Sequence, residues 1–293
     1  MPSDIARGVG VVAARKTKNP FRSAARPTGM KSVTFTADDF GLTLSVNEAV
    51  ERAFRDGRLN AASLMVGAPA AADAVERARR LPGLNVGLHL VVIEGAALLP
   101  RAQIPDLVDD RGWFPSDQLR LGARYALSPR ARRQLAAEIR AQFAAFAATG
   151  LTLHHADAHK HMHLHPVVGR MMLDIGREFG LSRVRVPAEP PNVLAHCGHR
   201  AGIAEHAIYR WTNLLRRQVW RAGMASDDNC FGIAWSGHMT GERVEQLLAA
   251  LPEGSSEIYF HPATHRDDVL RHLMPDYEHV AEFEALLNVA AID

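Results

Sequence analysis

Cysteine is almost missing from this chain: Cys197 and Cys230 are the only two in 293 residues. They fit no zinc-ligand spacing and build no disulfide framework, which points to a reducing compartment. Charge of one sign is also lacking. The net charge is +2 with His neutral, so nothing global draws the protein to nucleic acid or to an acidic membrane. No apolar run is long enough to span a bilayer. The glycine fingerprint of a dinucleotide site does not follow the first predicted strand, there is no Walker sequence, and no internal repeat or low-complexity block is visible. What remains is a globular composition, 47% hydrophobic and 23% charged, read as cytoplasmic. The abundant residue is histidine, with 15 copies, many of them clustered.

Residues 1–30 differ from the rest. Arg7, Arg15, Lys16, Lys18, Arg22 and Arg26 face a single acid, Asp4. The apolar stretch at 8–14 is too short and too poorly flanked for a signal peptide. This segment reads as a basic, disordered leader, with a weak electrostatic membrane contact as the minority reading. Residues 31–293 read as one domain, with excursions near 91–129 and 187–229.

From Val33 onward strand and helix patterns alternate. Val33–Ala37 is the first strand. Ser45–Arg55 follows as a helix, with Val46, Ala49, Val50, Ala53 and Phe54 at helical spacing and Ser45 and Glu48 as a capping box. Strands are expected at Ala61–Val66, Leu84–Leu90, Leu151–Ala156, Arg183–Val186, Phe231–Ala234 and Ile258–Phe260. Helices are expected at Ala68–Leu81, Pro129–Ala148, Val167–Phe179, His206–Ala222, Gly241–Leu251 and Tyr277–Leu287. This rhythm predicts parallel strands with right-handed crossovers. The fold expected is a (β/α) barrel of the TIM type, in a complete or a distorted form, ahead of an open doubly wound sheet.

Four strand ends carry polar groups that a buried strand does not need. They are Asp38-Asp39, Gly87-Leu88-His89, the run from Asp157 through His159, His161 and His163 to His165, and Phe260-His261-Pro262. In a parallel barrel these ends converge on one face. Two adjacent carboxylates there are costly to desolvate unless a cation or a hydrogen-bond network compensates them. One carboxylate with two imidazoles makes a half-open site for Zn²⁺ or a similar divalent ion, with room for water and substrate. The 157–165 run has period two, so an extended chain would put its acid and its imidazoles on one side. One or two of them ligate, and the others orient ligands or bind substrate. His261 reads as a general acid in the company of the other three strand ends, and as a core histidine without them.

The ordered set Ala-Asp-Asp-Phe-Gly at 37–41, Gly-Leu-His-Leu at 87–90, Asp-x-His-x-His-x-His at 157–163 and His-Pro-Ala at 261–263 resembles the YdjC-like carbohydrate deacetylases over roughly residues 32–287. The finer texture at 42–50, 62–66 and 159–166 looks like the hopanoid-biosynthesis-associated branch. The resemblance implies Asp39, His89 and His159 as ligands of a divalent metal, Zn first, with Mg, Mn or Co as alternatives. It implies Asp38 as general base and His261 as general acid. Asp157, His161, His163 and Arg185 are assigned to substrate binding or to support behind the ligands. Lys160 stands where chito-oligosaccharide members tend to carry another His. The implied partner is an N-acetylglucosaminyl hopanoid, such as bacteriohopanetetrol-linked N-acetylglucosamine, and the implied reaction is removal of its acetyl group. Soluble chito-oligosaccharides are the alternative substrate. A metal-independent glycoside hydrolase using Asp38 or Asp39 with Asp157, and a non-catalytic sugar-binding module, are the weaker readings. A lipid-linked head group must be reached at a membrane surface. Trp211, Trp220, Arg216 and Arg217 on the 206–222 helix are the candidates for that contact, against packing of Trp211 on the core.

Overall fold

The computed structural model describes residues 31–289; the expectations for the leader lie outside these residues. Six parallel strands form one sheet in the order β4-β3-β2-β1-β6-β5. The strands are β1 (Lys31–Phe40), β2 (Ala61–Leu64), β3 (Asn85–Leu90), β4 (Ala156–Ala158), β5 (Asn229–Phe231) and β6 (Gly254–Phe260). β1 is central, pairing with β2 on one side and β6 on the other. From Phe35 to Phe40 every residue of β1 is buried, as expected of a parallel strand covered on both faces.

The sheet curls but does not close as a complete TIM barrel. Between its edges β4 and β5 runs the 183–188 segment, which makes isolated contacts in place of a ladder. It bridges Ala156 through Val184 and Ala225 through Arg183, and Ala188 O accepts from Cys230 N at 3.0 Å. The strand expected at Arg183–Val186 is thus a strand in position but not in regular pairing. Pro187, Pro190 and Pro191 follow it, and a proline supplies no N–H to continue a ladder.

Helices cover the sheet: α1 (Leu44–Asp56), α2 (Ala71–Arg79), α3 (Gln118–Leu127), α4 (Pro129–Ala148), α5 (Pro166–Glu178), α6 (Pro191–His196), α7 (Ile203–Arg221), α8 (Gly241–Ala250), α9 (Asp268–Leu273) and α10 (His279–Asn288). α1 buries Val46, Ala49, Val50 and Ala53, the stripe its spacing predicts. Its cap is Thr43, whose Oγ1 accepts from Val46 N. Ser45, expected as the cap, lies inside the helix and donates to Asp267 Oδ2 at 2.8 Å. α4 matches its expected bounds, with Ser128 as cap and Pro129 in the first turn.

Three helices were not anticipated: α3, inside the 91–129 excursion, and the six-residue α6 and α9. On α7 the buried residues are Thr212, Leu215 and Val219. Trp211 and Trp220 are 49% and 53% exposed. The Trp211 ring is thus half covered and half open to solvent, and its indole N–H donates to Leu164 O.

The largest correction concerns residues 151–165. The strand expected at Leu151–Ala156 starts only at Ala156 and ends at Ala158. His159–Leu164 then winds into a short 3₁₀ turn, with Lys160 and His161 in the left-handed region at φ 49° and 52°. The period-two alignment of imidazoles on one side does not form. A turn instead separates their directions.

Candidate metal centre and catalytic cleft

Adjacent residues on a regular strand point to opposite faces. Asp38 and Asp39 escape this because β1 is irregular where they lie. Its register against β2 shifts between Ala37 and Phe40, and Asp39 has φ 59°, uncommon for a residue with a Cβ. Both side chains thereby come within reach of His89. Gly41 completes the turn at φ 99°, where a Cβ would lie 3.2 Å from Met65 O and from Ala71 Cα. Its N–H donates to Asn47 Oδ1 at 2.8 Å.

His89, one residue before the end of β3, is in register with Asp157 of β4. Asp157 Oδ1 takes the Nδ1 side of the ring at 2.8 Å, which turns Nε2 toward Asp39 Oδ1, 3.4 Å away. His159, at the start of the 3₁₀ turn, brings Nδ1 to 3.2 Å from the same oxygen. Ligand atoms of Asp39, His89 and His159 all lie within 4.8 Å of one another. The sequence-assigned trio is therefore together in space.

The chemistry of this trio is unusual in one respect. Asp39 is 2% exposed, yet neither carboxylate oxygen receives an aligned hydrogen bond. Burial alone would raise its pKa, but His159 and His89 outweigh that and hold it well below the usual carboxylate range. Burial likewise opposes charge on His89, while Asp157 and the other nearby carboxylates raise its pKa to about 10. A bare buried carboxylate facing two imidazole nitrogens fits a divalent cation. The neighbouring set Asp38, His89 and Asp157 also clusters, but its carboxylates are already satisfied. Arg185 holds Asp38 by a fork, Nη1 to Oδ2 at 2.6 Å and Nη2 to Oδ1 at 2.7 Å. Asp157 Oδ2 accepts from Ser63 Oγ at 2.8 Å and faces Arg185 Nη1 at 2.7 Å.

Arg185 is the hub of the interior. Besides Asp38 and Asp157 it donates through Nε and Nη2 to Glu257 Oε1, at 3.0 and 2.8 Å. Its guanidinium lies 4.8 Å from the centroid of the Tyr259 ring. Burial works against its charge, but Asp157, Asp38 and Glu257 push its pKa well above the ordinary arginine value.

Of the residues assigned to substrate binding or support, Arg185, Asp157 and His163 sit behind the trio and do not line the cleft. His163 turns Nε2 to the carbonyl of Arg185 at 3.1 Å. His161 does reach the cleft wall, where Nε2 meets Tyr259 OH at 2.9 Å. His165 lies outside the group, with its ring beside Gly122 of α3.

His261 lines the same cleft as Asp38, His89 and His159. Its backbone N–H donates to Glu282, and its Nδ1 lies 3.9 Å from Glu282 Oε2. The Tyr277 ring is 5.1 Å away, edge on. Glu282 is fully buried; burial pushes its carboxyl up, against the pull of His261.

Glu257, Tyr259, Ser63 and Glu282 escaped notice in the sequence. A signal existed for two of them. Glu257, Tyr259 and His261 alternate along β6, a period-two polar row in a strand that is buried from Ser256 to Phe260.

The chain belongs to the YdjC-like family, which it matches over residues 32–291. Among similar proteins is the carbohydrate deacetylase of Thermoanaerobacter pseudethanolicus, 27% identical over 82% of this chain and 84% of that one. The carbohydrate deacetylase of Vibrio vulnificus is 41% identical over a shorter stretch, 50% of this chain. That of Brevibacillus brevis is 36% identical over 53%. These alignments span just over half the length of the Vibrio and Brevibacillus proteins, 56% and 57%. In fold, the chain is similar to a putative cellobiose-phosphate cleavage protein of Enterococcus faecalis, with TM-score 0.67, 24% identity and coverage of 88% and 90%.

Proposed function

We propose that this protein is a metal-dependent carbohydrate N-deacetylase. The observation that carries the reading is the buried Asp39 carboxylate, bare of hydrogen bonds, facing His89 and His159, with Asp38 and His261 on the wall of one cleft. The names of the relatives support the reaction class. Asp39, His89 and His159 would hold the ion, which when bound supplies Lewis acidity toward an acetyl carbonyl and toward a water. Asp38 accepts a proton as water adds to the acetyl carbon; Arg185 pins its carboxylate for that task. His261 gives a proton to the sugar nitrogen as the C–N bond breaks, so acetate and a free amine leave. Asp157 fixes the ring of His89, and Glu282 anchors the backbone of His261. Zn²⁺ suits a mixed oxygen and nitrogen set, and Mn²⁺, Co²⁺ or Mg²⁺ compete on availability.

The substrate we propose is an N-acetylglucosaminyl hopanoid. The motif texture at 42–50, 62–66 and 159–166 supports it. So does α7, which exposes Ile203, Trp211 and Trp220 beside Arg217 and Arg221, a composition used by helices that lie on lipid.

The test is acetate release from N-acetylglucosaminyl hopanoid and from N,N′-diacetylchitobiose, with and without chelator. Chelator-sensitive release from the lipid is the expected result. Metal-loaded protein that frees no acetate from either refutes the reaction, and turnover of chitobiose alone refutes the lipid. Liposome flotation of W211S/W220S against the wild type tests α7; equal flotation removes it.

A further inference from the structure

The cleft above the trio is open to solvent, and its wall runs on past the side chains of the centre as far as Leu273 and Met274. Its polar side chains fall into three sets. Asp38, His89, His159, His161 and His261 belong to the centre itself. Lys160 and Glu94 pair with each other. Ser236 Oγ and Tyr277 OH pair with each other at 2.9 Å. Apart from the Trp113 indole, no side-chain polar group of the described wall is left over. The rest is apolar: Leu42 after β1, Met65 and Pro69 after β2, Trp113 in the excursion after β3, and Leu273 and Met274 at the end of α9.

Hydroxyls of a second sugar laid against this apolar part of the wall would lose water without gaining partners, which is unfavourable. An apolar group meets no such penalty. We propose that Leu42, Met65, Trp113, Leu273 and Met274 form a subsite for an apolar aglycone attached to the amino sugar. The proposal rests on the deacetylase reading for its catalytic use, but the subsite itself is a binding surface that can be tested apart from turnover.

Each methylene moved from water into such a wall strengthens binding about fourfold. If roughly three of an octyl chain are covered, octyl 2-acetamido-2-deoxy-β-glucoside gains on the order of 50-fold in kcat/KM over the methyl glycoside, below its micelle concentration. M274Q and W113S should each cut that octyl-to-methyl ratio severalfold. Equal kcat/KM for the two glycosides overturns the subsite, as does a preference for N,N′-diacetylchitobiose, or a ratio that neither variant moves. The second measurement is calorimetric binding of octyl and methyl β-glucosides to the wild type and to M274Q. If no glycoside is hydrolysed, the deacetylase reading falls, and the subsite stands or falls on tighter octyl binding that M274Q weakens. Thermal unfolding of M274Q and W113S checks that both variants fold.

Discussion

Replacing Asp157 by asparagine tests the centre at a residue that touches neither the cleft nor, on this geometry, the ion. The change is nearly isosteric, so its effect is electronic. In the wild type one oxygen faces His89 Nδ1 at 2.8 Å, and the other meets Ser63 and Arg185 at 2.8 and 2.7 Å. The new side-chain amide must choose. With its NH₂ toward Arg185, two donors confront each other in a buried site. With its NH₂ toward His89, Nδ1 must become an acceptor, the proton moves to Nε2, and the lone pair facing Asp39 is lost. Either arrangement weakens a metal site. Loss of such support behind a histidine ligand typically costs 10–100-fold in metal affinity, about 1.4–2.7 kcal/mol. Asp157 also favours a proton on His89, which competes with the ion. A divalent charge gains roughly twice as much as a proton from the same carboxylate, so the net effect of Asp157 still favours the metal. Calorimetric Zn²⁺ titration of D157N, beside acetate release, measures the loss. S63A is the control: it removes one donor to Asp157 and should cost less. Wild-type metal affinity and turnover in D157N would refute this account of His89.

R185M leaves Asp38, Asp157 and Glu257 buried without their shared cation, and removing one partner of a buried ionic set costs ~3–5 kcal/mol; an unchanged urea midpoint would contradict the role of Arg185. H261Q should retain metal while acetate release falls ~10²–10⁴-fold, and activity near wild type would remove His261 from proton transfer. Acid should destabilise the fold through His163. Burial holds its pKa down at about 4, and its Nδ1 has no partner to receive a proton. Well above pH 6.5 the group is neutral in both states. As the pH falls toward 4 the unfolded chain takes up a proton that the folded chain refuses, so stability declines by up to roughly 3 kcal/mol and then levels off. H163N should flatten that part of the urea-midpoint profile between pH 7 and 4.5, and an unaltered slope would count against it.

The sequence carried the site further than it carried the fold. Four motifs at strand ends were enough to bring Asp39, His89 and His159 together, because parallel strands deliver their C-terminal ends to one side whatever happens between them. Boundaries failed where tertiary contacts overruled local pattern. Leu151–His155 reads as strand, yet the ring of His155 lies over Gly87, where a Cβ would sit 2.5 Å from it, and the ladder becomes regular only at Ala156. The alternating histidines look extended, and two left-handed residues fold them into a turn. Local pattern gives no hint of two successive residues at positive φ, Lys160 and His161. The ionic partners of Arg185 come from β1, β4 and β6, and no periodicity within one segment announces a contact 147 residues away.

Arg185 lies on the stretch that fills the gap between the sheet's two edges, and its charge ties three strands together across the interior. The same fork that braces the architecture also aims Asp38 at the cleft. On the proposed mechanism, ruggedness and turnover are thus written in the same atoms. Exchanging this ionic knot for well-packed hydrocarbon could yield a sturdier protein, and it would yield one with nothing to aim its base. Selection for heat tolerance in this chain should accordingly settle on the outer helices and leave the knot untouched.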